Sequence, residues 1–393
     1  MTVMNMDKKL VVINDSDKNN QVSNEIKKET GSVWKKNEKA SVLSLENFDF
    51  TKKILYHPEK IAAYVDGERP FPITIEIDLT NRCNHRCSFC YYAEHIGLEA
   101  DKPSLDTNIL KDRLIEAKKL GTKAISFTGG GEPTIHKDYL ELIKFTNEIG
   151  LDVGTITNGS AITEKNVDTI IENLQWIRIS MAGGDKESYS EVQGVDQFEK
   201  IVSNLKLLSK KKEEINPNFN LGVRTLVTSQ NLHSLENFAR IIKNLNLDYW
   251  QFAPDQFTDD KGRFWNDENT QKIFSNVTDI LAEKNIKLLT TTYMSSQEKL
   301  DYPTTCYAHF FMVAITAEGY LTFCKNVRSE EDFHIGDINK NTLTEIWNGD
   351  KTKDIEKWVR PNNCGLFCKH MAINNTLEDI VHPNSSQSPN FIG

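Results

Sequence analysis

ITIEIDLTNRCNHRCSFCYY, residues 73–92, is the stretch that decides the fold. Its first half, ITIEIDL (73–79), alternates apolar and polar residues with the period of a β-strand. Its second half sets Cys83, Cys87 and Cys90 on the loop that follows, in a C-x3-C-x2-C spacing. Three thiolates on one loop can hold three irons of a four-iron cluster, which leaves one iron open to another ligand. The competing reading is structural zinc. Zinc wants four closed ligands, and His85 is the available fourth, although it lies inside the loop with poor reach.

Working outward, strand-type segments recur at 123–128, 152–157, 176–181, 221–227 and 249–253. Helix-period segments lie between them, such as 106–120 and 196–211. In the latter, Phe198, Ile201, Val202, Leu205 and Leu208 share a face. Strand–helix alternation implies βαβ units on a parallel sheet. Six such units predict a partial (β/α)6 TIM-like barrel, with chemistry at the C-terminal ends of the strands. The cysteine loop follows the first of those strands.

Before the barrel, residues 1–45 are rich in Lys, Asn, Asp, Glu and Ser and read as a disordered polar extension. An N-terminal helical segment is expected at 46–70, the barrel at 71–285, a small α+β domain at 286–375 and a flexible tail at 376–393. The small domain contains a hairpin around Ala317-Glu318-Gly319 and a short helix at 341–348. The net charge of −9 argues against a nucleic-acid binder, and no apolar run approaches a membrane span. The start of the chain lacks a secretory signal, so the expected location is cytoplasmic. Seven cysteines, an odd count, do not suggest a disulfide framework.

The second strand ends on Gly129-Gly130-Gly131-Glu132-Pro133, a turn in which glycines let backbone approach a ligand closely. No P-loop Lys-Ser/Thr follows it. Taken with TNRCNHRCSFCY (80–91), this turn resembles the GGEP element of the radical SAM superfamily. The resemblance implies that methionine of S-adenosylmethionine chelates the open iron of a [4Fe-4S] cluster held by Cys83, Cys87 and Cys90. It implies a 5′-deoxyadenosyl radical that abstracts hydrogen from substrate. By the same resemblance, Gly129, Gly130, Gly131, Glu132, Pro133, Thr157, Asn158, Ser180, Arg224 and Phe89 bind the cofactor. The sequence departs from many relatives at Met181-Ala182-Gly183-Gly184 and Gln193-Gly194.

Cys306, Cys324, Cys364 and Cys368 remain, enough to close a second four-iron cluster or a structural zinc site. With residues 335–348 they resemble the SPASM and twitch extensions, whose auxiliary clusters suit electron transfer. Four cysteines match one auxiliary [4Fe-4S] cluster, as in the twitch type. The expected reaction is oxidation or epimerisation of a small polar substrate such as a sugar or aminocyclitol, with radical modification of a peptide or protein as the alternative. A flavodoxin or ferredoxin is the expected electron donor. A zinc scaffold or electron-transfer protein is the non-enzymatic alternative. No general base or hydrogen donor can be named from the sequence. Asp78 and Arg178 can face the barrel interior, each most simply in a structural salt bridge. His95, His309 and His370 read as surface or satisfied histidines.

Overall fold

A computed structural model of the chain describes residues 3–6, 9–12, 53–254, 265, 267–290, 305–359 and 370–382. The chain divides into two units, Met1–Glu46 and Asn47–Gly393. In the first, β1 (Val3–Met6) pairs antiparallel with β2 (Lys9–Val12). Apolar Val3, Val11 and Val12 suit strands, so a hairpin stands where composition predicts only a disordered extension. The rest of 1–45 lies outside the described residues. In the second unit the expected N-terminal helical segment is α1 (Pro58–Val65), opened by Pro58 in its first turn.

Seven strands follow one another in a parallel sheet: β3 (Thr74–Asp78), β4 (Ala124–Thr128), β5 (Asp152–Thr157), β6 (Trp176–Ser180), β7 (Asn220–Val227), β8 (Tyr249–Pro254) and β9 (Lys287–Thr290). The sequence predicts the first six. It misses β9 because Lys-Leu-Leu-Thr is a short edge strand with little β-branched character. Helices α2 (Thr107–Lys119), α3 (Tyr139–Glu148), α4 (Val167–Asn173), α5 (Lys186–Gln193), α6 (Phe198–Ile215), α7 (Leu235–Ile242) and α8 (Glu268–Ala282) alternate with the strands. Local chemistry sets their ends. Asp106 caps α2 by accepting from the N–H groups of Asn108 and Ile109, and Lys118 and Lys119 sit in its last turn.

Alternation along the strands gives the sheet two unlike faces. Ile75, Ile77, Ile125, Phe127, Ile177, Ile179, Leu221, Val223, Trp250 and Phe252 are at most 1% exposed and join the helices in one apolar core. The opposite face, toward the lumen, carries Glu76, Asp78, Ser126, Thr128, Arg178, Ser180, Arg224 and Gln251. Two glycines make room on that face. A Cβ at Gly154 would meet the Trp176 ring at 2.0 Å, and one at Gly222 would meet the Tyr249 ring at 2.0 Å.

The C-terminal region does not stand apart from the barrel. β10 (Met312–Ile315) pairs parallel with β3, and β11 (Tyr320–Thr322) and β12 (His334–Asp337) extend the sheet antiparallel from it. The boundary expected at 285/286 therefore falls within one sheet, ten-stranded among the described residues. The predicted hairpin is present, with Gly319 at φ 95°. The predicted short helix is α9 (Leu343–Asn348), with a capping box between Thr342 and Glu345. Next come α10 (Asp350–Trp358) and α11 (Met371–Val381). α11 carries order into the expected tail: Leu377 is buried, and Tyr307 donates its hydroxyl to Glu378 at 2.6 Å. Among the described residues no helix is long and apolar enough to cross a membrane.

One ion pair joins the C-terminal region to β3. Arg328, 6% exposed, bonds the Asp78 carboxylate and lies 3.8 Å from Glu76. Burial is the largest influence and works against its charge, but Asp78, Tyr92 and Glu76 together outweigh it and hold the guanidinium protonated above its usual range. The salt bridge expected for Asp78 is thus present. Arg328→Gln would strand a buried carboxylate, so anaerobic urea unfolding should show a loss of about 3 kcal/mol, partly recovered by adding Asp78→Asn. Unchanged stability in the single variant would remove the pair as the seam.

Candidate active site

The cysteine loop leaves the C-terminal end of β3 and is held by backbone bonds at several points. Cys83 N–H donates to Gly97 O at 2.6 Å, Ser88 N–H to Val192 O at 2.9 Å and Cys90 N–H to Cys87 O at 3.0 Å. All three cysteines are free thiols of intermediate exposure. Burial pushes the Cys83 thiol up to about 11, with the Glu132 carboxylate and Cys90 adding to it. Burial and the two neighbouring cysteines raise Cys87 further, and burial raises Cys90. The thiols therefore share one electrostatic space that resists three negative charges. A cationic iron cluster supplies the charge that lets all three ionise, and the donor set fits it. Among the described residues no three His, Cys, Asp or Glu side chains close around a single metal ion.

His85 does not offer itself as a fourth ligand. It is 1% exposed, and both ring nitrogens are engaged. Nδ1 lies 2.9 Å from the Asn158 side-chain amide nitrogen and 3.1 Å from Asn84 Oδ1, and Nε2 shares a hydrogen bond with the Tyr189 hydroxyl at 2.9 Å. Burial pushes the imidazole down to about 4, so it is neutral. Tyr189 accepts from Gln193 Nε2 at 3.1 Å, and Gln193 Oε1 accepts from Ala182 N–H at 2.7 Å. This buried chain runs from the cysteine loop to α5. Gly194, at φ 68°, ends α5 against the same loop, where a Cβ would meet Arg86 O at 2.3 Å. The Gln193-Gly194 departure noted in the sequence is therefore part of the loop's support.

The glycine turn packs on the residues that precede the first cysteine. Gly131 N–H donates to Thr80 O at 2.9 Å, and Glu132 N–H to Arg82 O at 2.8 Å. A Cβ at Gly131 would meet Arg82 O at 2.1 Å, so glycine is required there by close approach. Glu132 is 3% exposed and accepts from Thr134 N–H, the Thr134 hydroxyl, the Thr157 hydroxyl at 2.5 Å and Asn158 N–H at 2.7 Å. Asn158 in turn donates to Asn84 Oδ1 at 2.8 Å. The side chains of Glu132, Thr157 and Asn158 thus bind protein partners and fix three loops to one another. Pro133 is buried and opens a short turn after them. Ser180, the last residue of β6, and Arg224, midway along β7, face the lumen side by side. Phe89 is half-buried between Cys87 and Cys90.

The auxiliary cysteines are described in part. Cys306 and Cys324 are half-buried, and Cys364 and Cys368 lie outside the described residues. Cys306 Sγ receives the Asn374 side-chain amide at 3.9 Å, and Cys324 Sγ accepts from Asn326 N–H at 3.4 Å. His309 is buried on Glu356 at 3.2 Å, His370 is buried, and His95 is exposed. Three contacts that sequence reasoning missed stitch this region to the first cysteine loop. Tyr91 donates to Asn326 O at 2.6 Å, the Arg328 guanidinium lies 5.2 Å from the Tyr92 ring centroid, and Asn81 Nδ2 donates to Glu318 Oε1 at 2.6 Å. No sequence signal could have found them, because each pairs residues more than two hundred positions apart.

The geometry agrees with comparisons to known proteins. A family model for the radical SAM superfamily matches residues 77–222, and an iron-sulfur cluster-binding domain model, SPASM, matches residues 306–369. A tungsten-containing aldehyde ferredoxin oxidoreductase cofactor-modifying protein of Pyrococcus furiosus is 27% identical over 179 residues, 44% of this chain and 48% of that protein. A PqqA peptide cyclase of Bradyrhizobium diazoefficiens is 26% identical over 187 residues, 47% of each chain. The chain thus spans about half the length of these curated relatives. SuiB of Streptococcus suis bound to S-adenosylmethionine shares the fold, with a TM-score of 0.61 over 90% of this chain and 82% of that one, at 16% identity. SuiB has also been solved with its precursor peptide SuiA.

Tyr189→Phe removes the hydroxyl that bonds His85 Nε2 and accepts from Gln193 Nε2. The variant should lose about 1–3 kcal/mol and release iron faster to a chelator under anaerobic conditions. Wild-type iron retention together with an unshifted Tm would mean that the chain does not support the loop.

Proposed function

The chain belongs to the radical SAM superfamily and carries a C-terminal SPASM-type cluster domain, and from that premise we propose that it modifies a peptide by hydrogen-atom abstraction. Cys83, Cys87 and Cys90 would hold the [4Fe-4S] cluster with the open iron. Cys306, Cys324, Cys364 and Cys368 would hold the auxiliary [4Fe-4S] cluster. When bound, cluster and S-adenosylmethionine together supply a 5′-deoxyadenosyl radical that takes a hydrogen atom from substrate. The chain's own part is positioning. The Gly129–Pro133 turn offers close backbone approach for the methionine amine, and Ser180 and Arg224 offer a hydroxyl and a guanidinium for the carboxylate and ribose. Glu132, Thr157 and Asn158 hold those loops in register.

The observation that carries the peptide reading is the fold shared with SuiB over 90% of the chain. SuiB was solved with a precursor peptide, and the PqqA peptide cyclase match points the same way. These favour a peptide over the small polar substrate expected from the sequence. The contacts from Tyr91, Tyr92 and Asn81 keep the auxiliary region beside the first cluster loop, which suits passage of an electron from the substrate radical and a two-electron outcome. A flavodoxin or ferredoxin would reduce the first cluster.

The test is anaerobic incubation of reduced protein and S-adenosylmethionine with deuterated candidate peptides and, separately, deuterated aminocyclitols. Deuterium should enter 5′-deoxyadenosine from a peptide; transfer from the aminocyclitols alone would overturn the reading. Cys83→Ala should abolish cofactor cleavage. Cys306→Ala should spare cleavage and suppress peptide turnover, and equal loss of both would contradict separate roles.

A further inference from the structure

The lumen separates its charges. Among the described residues the acids on its strands, Glu76 and Asp78 on β3, are matched by Arg328. Across the sheet, Arg178 on β6 and Lys287 on β9 occupy one level of the same face, in register through Gly222 and Tyr249. Neither has a carboxylate partner among the described residues. Arg178 donates through Nη1 to Gln251 Oε1 at 3.2 Å, and its Nε is buried with no hydrogen-bond partner. Lys287 Nζ is likewise buried without a partner. The acid at the start of β8, Asp248, is committed to Lys212 at 2.6 Å and to Leu221 N–H at 2.7 Å. The salt bridge expected for Arg178 is therefore absent among these residues.

Both residues are half-buried, and polar nitrogens shut from water without a partner are costly unless a ligand completes them. We propose that Arg178, Lys287 and Gln251 form an anion subsite in the barrel lumen that seats a carboxylate of the substrate. The proposal rests on the peptide reading above, and adds that the peptide presents an acidic side chain or its own C-terminus to the lumen. A guanidinium fork, an ammonium and the side-chain amide of Gln251 together match a planar carboxylate. The two cations of the subsite lie deeper than the cofactor groups, and Gln251 bridges the two levels. Ser180, Arg224 and Gln251 align at one level, whereas Arg178 and Lys287 lie two residues deeper along their strands, about 6–7 Å. The Tyr249 ring over Gly222 and the Trp176 ring over Gly154 line the lumen at and below that level, which suits a short acidic group.

Anaerobic holoprotein with S-adenosylmethionine would be titrated calorimetrically with four probes: glutarate, acetyl-GGEGG-amide, acetyl-GGGGG with a free C-terminus, and acetyl-GGQGG-amide. Wild type should bind at least one charged peptide about tenfold more tightly than the glutamine control. The peptide that gains shows which carboxylate is used. Arg178→Gln with Lys287→Met should erase that preference, Arg178→Lys should keep part of it, and affinity for S-adenosylmethionine should hold in all variants. Near-ultraviolet circular dichroism verifies folding. Equal binding of charged and neutral probes, or a preference that survives the double variant, overturns the subsite. Parallel loss of S-adenosylmethionine affinity also overturns it, since the cations would then serve the cofactor. Glutarate binding without either charged peptide would keep the subsite and sink the peptide reading.

Discussion

A buried guanidinium ties this molecule together. Arg328 comes from the C-terminal region, yet it meets Asp78 at the end of the first barrel strand, five residues before the first cysteine. Taking such charges out of water is expensive, so the pair persists only where both partners are fixed. β10 pairs with β3, and Thr128 adds its hydroxyl to Asp78 at 3.1 Å. The same arginine lies against Tyr92, so placement of the cysteine loop and of the C-terminal region becomes one condition.

A second polar network does for the loop's far side what the ion pair does for its base. Glu132, Thr157 and Asn158 bind one another, and Asn158 reaches Asn84 and His85. His85 passes the chain on to Tyr189 and Gln193. A network of this kind is stable only when every member has a partner, and it then specifies one geometry. Three half-buried cysteines held so firmly are pre-arranged for a cluster that must leave one coordination site open. The lumen follows the same logic of charge. Among the described residues its strand acids are spent locally, and cations stand on the opposite strands, inside a chain whose net charge is −9.

The sequence alone determined the class of the fold and the identity of the cysteines. Period-two segments, helix-period segments and the C-x3-C-x2-C loop are local signals, written in consecutive residues, and six of the barrel strands were legible from them. So was the hairpin at Gly319, where only a turn explains the glycine. Tertiary structure alone decided the rest. The weak strand β9 becomes a strand because β8 offers it an edge, and a C-terminal hairpin that reads as a separate domain adds to the barrel's first strand. His85 looks like a spare metal ligand until burial gives both its nitrogens partners. Arg178 looks like half of a salt bridge until the sheet places it opposite Gly222 with no carboxylate partner among the described residues. Pairings across two hundred residues leave no mark on local sequence, because their energy comes from the shared burial that folding creates.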